Sequence, residues 1–599
     1  MITRSRLFTL LLLGAALAGH AQFPGQRTYC NPVDIDYKYN FEQEARGISF
    51  RSGADPVIVN HKGEYFLFAT LAGGWWHSSD LVQWKFVVPQ RWPFEDIVAP
   101  AALSVRDTLY LFQSTTIPKP ILFSTRPESG QLEFYNRLLP SPPGAQSAFA
   151  EQPPTPGAVP PGPWDPDIFR DPDTDKWYMY WNSSNFYPLF GIELDKGRRL
   201  IYVGTPVALI SLHPDRYGWE RFGRDHRETR APFIEGAWMT KHAGKYYLQY
   251  AAPGTEYNVY ANGTYVGDHP LGPFTYARYN PISYKPGGFV TGAGHGNTFQ
   301  DKYGNYWNTG TPWIGINWNF ERRIAVFPAG FDADGQMFVN TRFGDFPHRA
   351  PTRKWTDKDE SFTGWMLLSY RKPVTSSSAR DSFPAGNVTD ENPRTFWVAG
   401  SNRAGEWLTI DLEHERDVKA LQVSFVDYQS NIFDNDSTVY TQFRMYHSLD
   451  GARWTPIVDL TGEKRDRPNA YIELPRPVRT RYVRYEHVYV ASPNLAISYI
   501  RVFGNGDGKR PATPAGLTVR RDTDLRNAFI SWRGVPGAVG YNILWGIGPK
   551  KLYQTYQVFA DQGERLELRA LTVGQDYYFA IEAFDEVGVS KVSRTVYMR

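Results

Sequence analysis

Four side chains able to do acid–base chemistry head four similar stretches of this chain: Asp55, Asp165, Glu235 and His295. Each stands beside a Pro or Gly and opens a short apolar strand, which turns at a polar tip and returns as an aromatic-rich strand. The stretches run from Asp55-Pro56-Val57-Ile58 to Tyr65-Phe66-Leu67-Phe68, from Asp165-Pro166-Asp167-Ile168 to Trp177-Tyr178-Met179-Tyr180, from Glu235-Gly236-Ala237-Trp238 to Tyr246-Tyr247-Leu248, and from His295-Gly296-Asn297-Thr298 to Tyr306-Trp307. A fifth, from Ala99-Pro100-Ala101-Ala102 to Leu109-Tyr110-Leu111-Phe112, has alanine at its head. In chain order the count from head to first returning aromatic is 10, 11, 12, 11 and 11. If each stretch is one blade of a propeller, the five heads lie at one height around a common axis, and three carboxylates meet one imidazole. Hydrolysis of a glycosidic bond needs an acid for the leaving oxygen and a second carboxylate on the opposite face, roughly 6.5–9.5 Å away where that group activates water. A third carboxylate nearby raises the pKa of the acid by like-charge repulsion.

The elements that must hold these groups read as strands throughout. Spacing between successive heads is 44, 66, 70 and 60 residues, enough for four short strands and variable loops. Turn chemistry marks the hairpin tips at Lys62-Gly63, Asp173-Thr174-Asp175, Ala243-Gly244 and Gly304-Asn305. The predicted fold class is all-β, a five-bladed β-propeller followed by two β-sandwiches. The expected division is a signal peptide over residues 1–21, the propeller over 22–350, a linker over 351–371, a sandwich over 372–506, a second linker over 507–514 and a smaller sandwich over 515–599. At 599 residues several domains are expected. Aromatic residues make up 16% of the chain, a content suited to β architecture and to stacking on flat ligands such as sugars. The net charge of +3 is spread evenly, with no basic block, so the chain lacks the electrostatic footprint of a nucleic-acid binder.

Arg4 and Arg6, the apolar run from Leu7 to Leu17 and the small-x-small pattern Gly19-His20-Ala21 read as a secretory leader cleaved after Ala21. That run is too short to span a membrane, and no later segment is apolar enough. The single cysteine, Cys30, excludes an intrachain disulfide, and export without disulfides suits a bacterial periplasmic or secreted protein.

Ala54-Asp55-Pro56, Trp164-Asp165-Pro166-Asp167-Ile168-Phe169 and Ile234-Glu235-Gly236-Ala237-Trp238, the last continued by Met239-Thr240-Lys241-His242, resemble the three signatures of glycoside hydrolase family 43. The resemblance covers about the first 350 residues and implies a five-bladed propeller that inverts anomeric configuration. It assigns Asp55 as general base, Asp165 as pKa modulator and orienter, and Glu235 as general acid. It also implies removal of terminal sugars, of the α-L-arabinofuranosidase or β-xylosidase type, from plant polysaccharide side chains. An endo-acting or a galactan- or galactofuranose-directed hydrolase shares the fold, and a non-catalytic carbohydrate-binding or adhesion protein is the alternative from another class. Retention of all three carboxylates favours the enzyme.

Gly294-His295-Gly296-Asn297 resembles the central histidine of that family, which makes His295 both a substrate-binding and a metal-ligand candidate. No cofactor is required; a calcium or sodium ion in the propeller channel, held largely by water, suits a lone imidazole better than zinc. Trp75 or Trp76 could floor the terminal-sugar subsite, against blade packing as the other reading, whereas Trp84 reads as packing. Arg322 or Arg323 could bind sugar hydroxyls or form a solvated strand end. The acidic run Asp167, Asp171, Asp173, Asp175 lacks the glycine and glutamate of a calcium loop and reads as a hairpin tip. The Pro/Gly-rich passage from Pro140 to Pro163 is a surface loop or a lid.

Asp390-Glu391-Asn392-Pro393-Arg394-Thr395-Phe396-Trp397, Ser448-Leu449-Asp450-Gly451 and Ile500-Arg501-Val502-Phe503-Gly504 resemble a discoidin-like (coagulation factor 5/8 type C) domain. Such domains bind sugars or act as spacers, with Tyr428, Phe433 and Tyr440 as loop candidates here. The last segment resembles fibronectin type III, with Trp532 and Tyr577 in its core and a spacer role expected.

Overall fold

The computed structural model describes residues 27–39, 47–91, 98–135, 139–148 and 153–599. The expected leader over residues 1–21 lies outside them. Five antiparallel four-stranded sheets follow one another, each a simple meander. Blade 1 comprises Val57–His61, Glu64–Phe68, Trp75–Ser78 and Lys85–Val87. Blade 2 comprises Val98–Val105, Thr108–Ser114, Leu122–Ser124 and Glu133–Phe134, and blade 3 Asp167–Arg170, Trp177–Trp181, Leu189–Asp195 and Ile201–Ile210. Blade 4 comprises Glu235–His242, Lys245–Ala252, Ala261–Gly267 and Phe274–Tyr276, and blade 5 Thr298–Gln300, Tyr306–Gly310, Ala325–Phe331 and Met337–Val339. The first strands of the blades neighbour one another in a closed cycle, with that of blade 5 returning to that of blade 1. The architecture is therefore a five-bladed propeller with its first strands around the axis.

The aromatic second strands explain why the ring packs. Phe66 and Phe68 of blade 1 meet Leu109 and Leu111 of blade 2, Tyr110 and Phe112 meet Trp177 and Met179 of blade 3, and Tyr178 and Tyr180 meet Met239 and Leu248 of blade 4. Tyr247 meets Met337 and Phe331 of blade 5, and Trp307 returns to Tyr65 and Leu67. Each buried aromatic or aliphatic side chain contributes roughly 1.5–3 kcal/mol. Among the described residues no strand is exchanged between first and last blades. Instead Asn297 acts as a clasp: its Oδ1 accepts from the amide of Ile58 at 2.9 Å and its Nδ2 donates to the carbonyl of Ile58 at 2.8 Å. Outside the blades, Thr28–Tyr29 pairs with His348–Arg349.

After the propeller, two long strands, Trp407–Phe425 and Asn469–Val490, run through both layers of a sandwich. The sequence pattern reads separate strands at Trp407–Leu412 and Ala420–Phe425; register breaks between Asp411 and Arg416 and between Val418 and Ala420 bend one continuous strand instead. The final segment packs a sheet of Ala515–Arg521, Ala528–Arg533 and Arg565–Leu568 on one of Gln554–Phe559, Gly540–Gly546, Tyr577–Phe584 and Val596–Met598. Trp532 and Tyr577 lie in its core. This unit, expected as a spacer, is docked on the propeller. Arg221 of the propeller donates to Asn527 Oδ1 and to the carbonyl of Arg569, both at 2.6 Å, and Lys551 pairs with Asp332 at 2.9 Å. Among the described residues no helix is long and apolar enough to cross a membrane.

The clasp gives a direct test. Asn297→Ala leaves the Ile58 amide and carbonyl without partners inside the ring, at about 1–3 kcal/mol for each buried group. Calorimetry is expected to show the propeller transition several degrees lower, and an unchanged Tm would mean that the ring is closed by packing alone.

Candidate active site

Four of the five heads adopt one backbone conformation. Asp55, Ala99, Asp165 and His295 have φ of 52°, 37°, 47° and 47°, in the left-handed region that costs a non-glycine residue on the order of 1–3 kcal/mol. In blade 4 the equivalent φ, 59°, belongs to Gly236, so Glu235 stands one residue earlier than the spacing predicts. A register break between Glu235 and Trp238 accompanies the turn, as one between Val98 and Ala101 does in blade 2, so Glu235 takes the place that Val98 holds there. Gly236 also makes room: a Cβ on it would come within 2.8 Å of His295 Cδ2. Glycine at this head lets the imidazole lie against the blade 4 backbone.

Around that imidazole the carboxylates converge. His295 Nδ1 is 3.3 Å from Asp55 Oδ1 and 3.9 Å from Asp165 Oδ2, and Asp165, Glu235 and His295 each present an atom within 4.8 Å of the others. Arg322 Nη1 approaches Asp55 Oδ1 at 3.5 Å. Asp55 and Asp165 are each only 5% exposed, so the solvent cannot screen these charges.

Hydroxyls at the blade seams fix the carboxyls. Thr70 Oγ donates to Asp55 Oδ2 at 2.6 Å and accepts from the amide of Ala99 at 2.8 Å. Ser114 Oγ accepts from the amide of Asp165 at 2.8 Å, and Ser183 Oγ donates to Glu235 Oε2 at 2.8 Å. Thr311 Oγ accepts from the amide of Asp55 at 3.0 Å and donates to the carbonyl of His295 at 3.1 Å. All four lie at or just beyond the end of a second strand and serve the head of the next blade. The blade 4 seam departs from this rule: Asn262 Oδ1 accepts from the amide of His295 at 3.0 Å, and the Tyr260 hydroxyl donates to Glu235 Oε1.

Burial opposes the charge of Asp55, but Arg322, His295 and the Thr70 hydrogen bond outweigh it and hold the carboxyl below its ordinary range. Burial and then the Glu235 and Asp55 charges push Asp165 up to about 8, against the pull of His295. Burial also disfavours the imidazolium of His295, yet the three carboxylates prevail and raise its pKa.

Of the other expected contacts, Arg322 enters the site and Arg323 does not. Arg323 is buried, donating through Nη1 to the carbonyl of Arg51 at 2.7 Å. Trp75 and Trp76 are both 0% exposed, so neither floors a subsite. Trp75 Nε1 donates to the carbonyl of Pro127 at 3.0 Å and Trp76 Nε1 to Asp36 Oδ1 at 2.6 Å. Trp84 is buried as packing. The acidic run closes on Lys241, 2.6 Å from Asp171 and 2.7 Å from Asp173, while Asp167 Oδ2 accepts from the amide of Met239 at 2.7 Å. In the Pro140–Pro163 passage, the Pro140 carbonyl accepts from Tyr202, in the outermost strand of blade 3, at 2.9 Å. Of the aromatic loop candidates in the second domain, Tyr428 packs with Phe383 and Phe396. The loop bearing them bridges to the propeller through Ser430 and Ser49. Reading the sequence missed Thr70, Ser114, Ser183, Thr311 and Tyr260; a hydroxyl closing each aromatic strand is the signal that could have found the first four.

An ionised Asp165 is opposed by its surroundings, so its contribution to stability is lost as pH rises from the ordinary carboxylate range through about 8. Asp165→Asn is therefore expected to gain in Tm relative to the wild type as pH goes from 4 to ~8. A constant Tm difference across that window would show that Asp165 carries no raised pKa.

The model of the family "Glycosyl hydrolases family 43" matches residues 47–336, and that of the "F5/8 type C domain" matches residues 373–497. A "Xylosidase/arabinosidase" of Bacteroides ovatus is 33% identical over 113 residues, 19% of this chain. The chain spans 32% of the length of that curated relative. Among solved structures, a "Glycoside hydrolase" aligns with a TM-score of 0.44 at 18% identity, covering 75% of this chain and 97% of its own. A xylan β-1,4-xylosidase from Bacillus halodurans C-125 aligns at 0.38 and 12%, covering 80% and 100%. The chain carries a glycosyl hydrolases family 43 domain in its propeller, followed by an F5/8 type C domain.

Proposed function

We propose that this protein is an exported inverting glycosidase that removes terminal arabinofuranosyl or xylosyl units from plant polysaccharide side chains. The observation that carries the reading is the gathering of Asp55, Asp165 and Glu235 around one half-buried imidazole, inside a domain of family 43. A binding module has no use for three carboxylates whose repulsion must be offset. Asp55, kept ionised by Arg322 and His295, is the base that takes a proton from water. Glu235, oriented by Ser183 and Tyr260, delivers a proton to the leaving oxygen. Asp165 retains its proton through neutral pH, beside His295 and held at its amide by Ser114. Water attack from the Asp55 side and departure on the Glu235 side invert the anomeric carbon.

The donor set does not favour a calcium or sodium ion. Calcium takes six to eight oxygens, whereas here an imidazole stands among the carboxylates and is itself driven toward its charged form. His295 supplies the positive charge that a cation would bring. The final sandwich, with three strands facing four, fits the fibronectin type III pattern. The leader and the lack of disulfides support a periplasmic or secreted location.

The test is sugar release from arabinan, arabinoxylan, xylan and galactan by the wild type and by Glu235→Gln. Release of a monosaccharide by the wild type, reduced about 10²–10⁴-fold in the variant, is expected. NMR of the first-formed anomer is expected to show inversion. The pH profile is expected to keep its rate well into acid, because Asp55 stays ionised there, and to fall near pH 8 as Asp165 loses its proton. Polymer binding without release from any substrate would favour the lectin reading.

A further inference from the structure

At the rim of the propeller mouth, two arginines from different domains converge on one tryptophan. Trp313 follows the second strand of blade 5, which returns toward the face where the heads lie. It bridges to Arg322, the partner of Asp55, and its ring centroid is 6.3 Å from that of Tyr257. Tyr257 lies three residues before Tyr260, which holds Glu235. Trp313 thus stands between the segments that orient the base and the acid. Over its ring lie the guanidinium of Arg394, from the F5/8 type C domain, at 4.5 Å and that of Arg224, from the loop after blade 3, at 5.5 Å.

The charges of these two groups are unanswered. Arg230 nearby approaches Glu256 at 3.6 Å, Arg322 has Asp55, and Asp225, next to Arg224, accepts from Asn258 Nδ2. Among the described residues neither Arg224 nor Arg394 has an ion pair or a side-chain hydrogen-bond partner. Burial and then the charge of Arg224 push the guanidinium of Arg394 down to about 10, while both groups lie over the one Trp313 ring. A folded protein gains nothing from that repulsion, and nothing in the packing of Trp313 requires two cations. Such an arrangement suits an incoming anion. The planar fork of guanidinium groups matches a carboxylate, and a mouth that processes polysaccharide meets carboxylates on uronic acid residues.

We propose that Arg224 and Arg394 form a subsite for the carboxylate of a uronic acid residue in the polysaccharide, so that the F5/8 type C domain completes the mouth of the propeller. This rests on reading the mouth as a sugar-processing site. It makes the substrate class an acidic, uronate-bearing polysaccharide and gives the accessory domain a part in selecting it.

Titration calorimetry on the full chain tests this with two acidic probes, trigalacturonate and glucuronate-substituted xylotriose, against neutral xylotriose and galactotriose. At least one acidic probe is expected to bind about tenfold or more tightly than its neutral counterpart, the range of one charge-assisted hydrogen bond. That advantage should shrink as salt rises. Arg224→Ala and Arg394→Ala are each expected to bring acidic and neutral probes close together, and Arg394→Lys to restore part of the difference. Equal affinities in the wild type, or an advantage that survives both alanine variants with an unchanged Tm, would overturn the subsite. Sugar release measured in parallel separates the two readings. Hydrolysis with no acidic preference removes the subsite alone. Acid-selective binding that depends on both arginines, without hydrolysis, upholds the subsite and removes the glycosidase.

Discussion

Three carboxyl groups and one imidazole share a space from which water is largely removed, and that constraint explains most of what surrounds them. Placing even one ion in such a space costs several kcal/mol unless it is paired and hydrogen-bonded. His295 stands 3.3 Å from Asp55 and 3.9 Å from Asp165, close enough for one imidazole to serve both carboxyl groups. It can do so only because blade 4 carries no side chain where the ring lies; a Cβ on Gly236 would touch Cγ at 2.9 Å and Cδ2 at 2.8 Å. Glycine takes the left-handed position of blade 4, and the acid stands one residue before it, where blade 2 has Val98. The room for the central histidine and the placing of the acid thus both depend on glycine at this one position.

A closed ring of five blades is an economical way to meet this constraint. Each head needs a left-handed turn and a partner on the adjoining blade, and the ends of the second strands supply that partner as a hydroxyl. The site is therefore built at the seams between blades. Even the blade whose head is alanine takes part: its backbone amide holds Thr70, and Thr70 holds Asp55. Ala99 keeps the strained φ of 37° although it offers no chemistry, because the ring geometry, and not catalysis alone, demands the turn.

The repeat could be read because aromatic strands at the blade interfaces leave a composition signal that survives without any alignment. Reading it brought Asp55, Asp165 and His295 to the left-handed heads and put Glu235 one residue off, since the count to the first returning aromatic varies by more than one residue between blades. Choosing between Arg322 and Arg323 is a question of parity, settled by the bridge from Trp313 to Arg322 that fixes which side chain faces Asp55. Trp75 and Trp76 misled because a tryptophan that stacks on sugar and one that fills a blade are the same letter. Tyr260 was beyond reach, lying just before a third strand whose distance from the axis only the fold determines. In the second domain the motifs were legible, but not the merging of two strands into Trp407–Phe425, which depends on bulges.

The accessory domains also bear on the site through buried charge. Arg51, four residues before Asp55, pairs with Asp427 at 2.9 Å and Asp466 at 2.7 Å, and both carboxylates belong to the sandwich. The carbonyl of Arg51 accepts from Arg323, the neighbour of the arginine that holds Asp55. With the Arg51 side chain only 7% exposed, a propeller without those carboxylates would bury a cation with no counterion, a loss on the order of 3–5 kcal/mol for a broken buried pair. That cost would fall on the segment leading to the base. The sandwich thus acts on the candidate active site twice, by fixing the approach to Asp55 from beneath and by bringing Arg394 to its rim. A domain attached this way cannot move as a free tether without disturbing the geometry on which Asp55 depends.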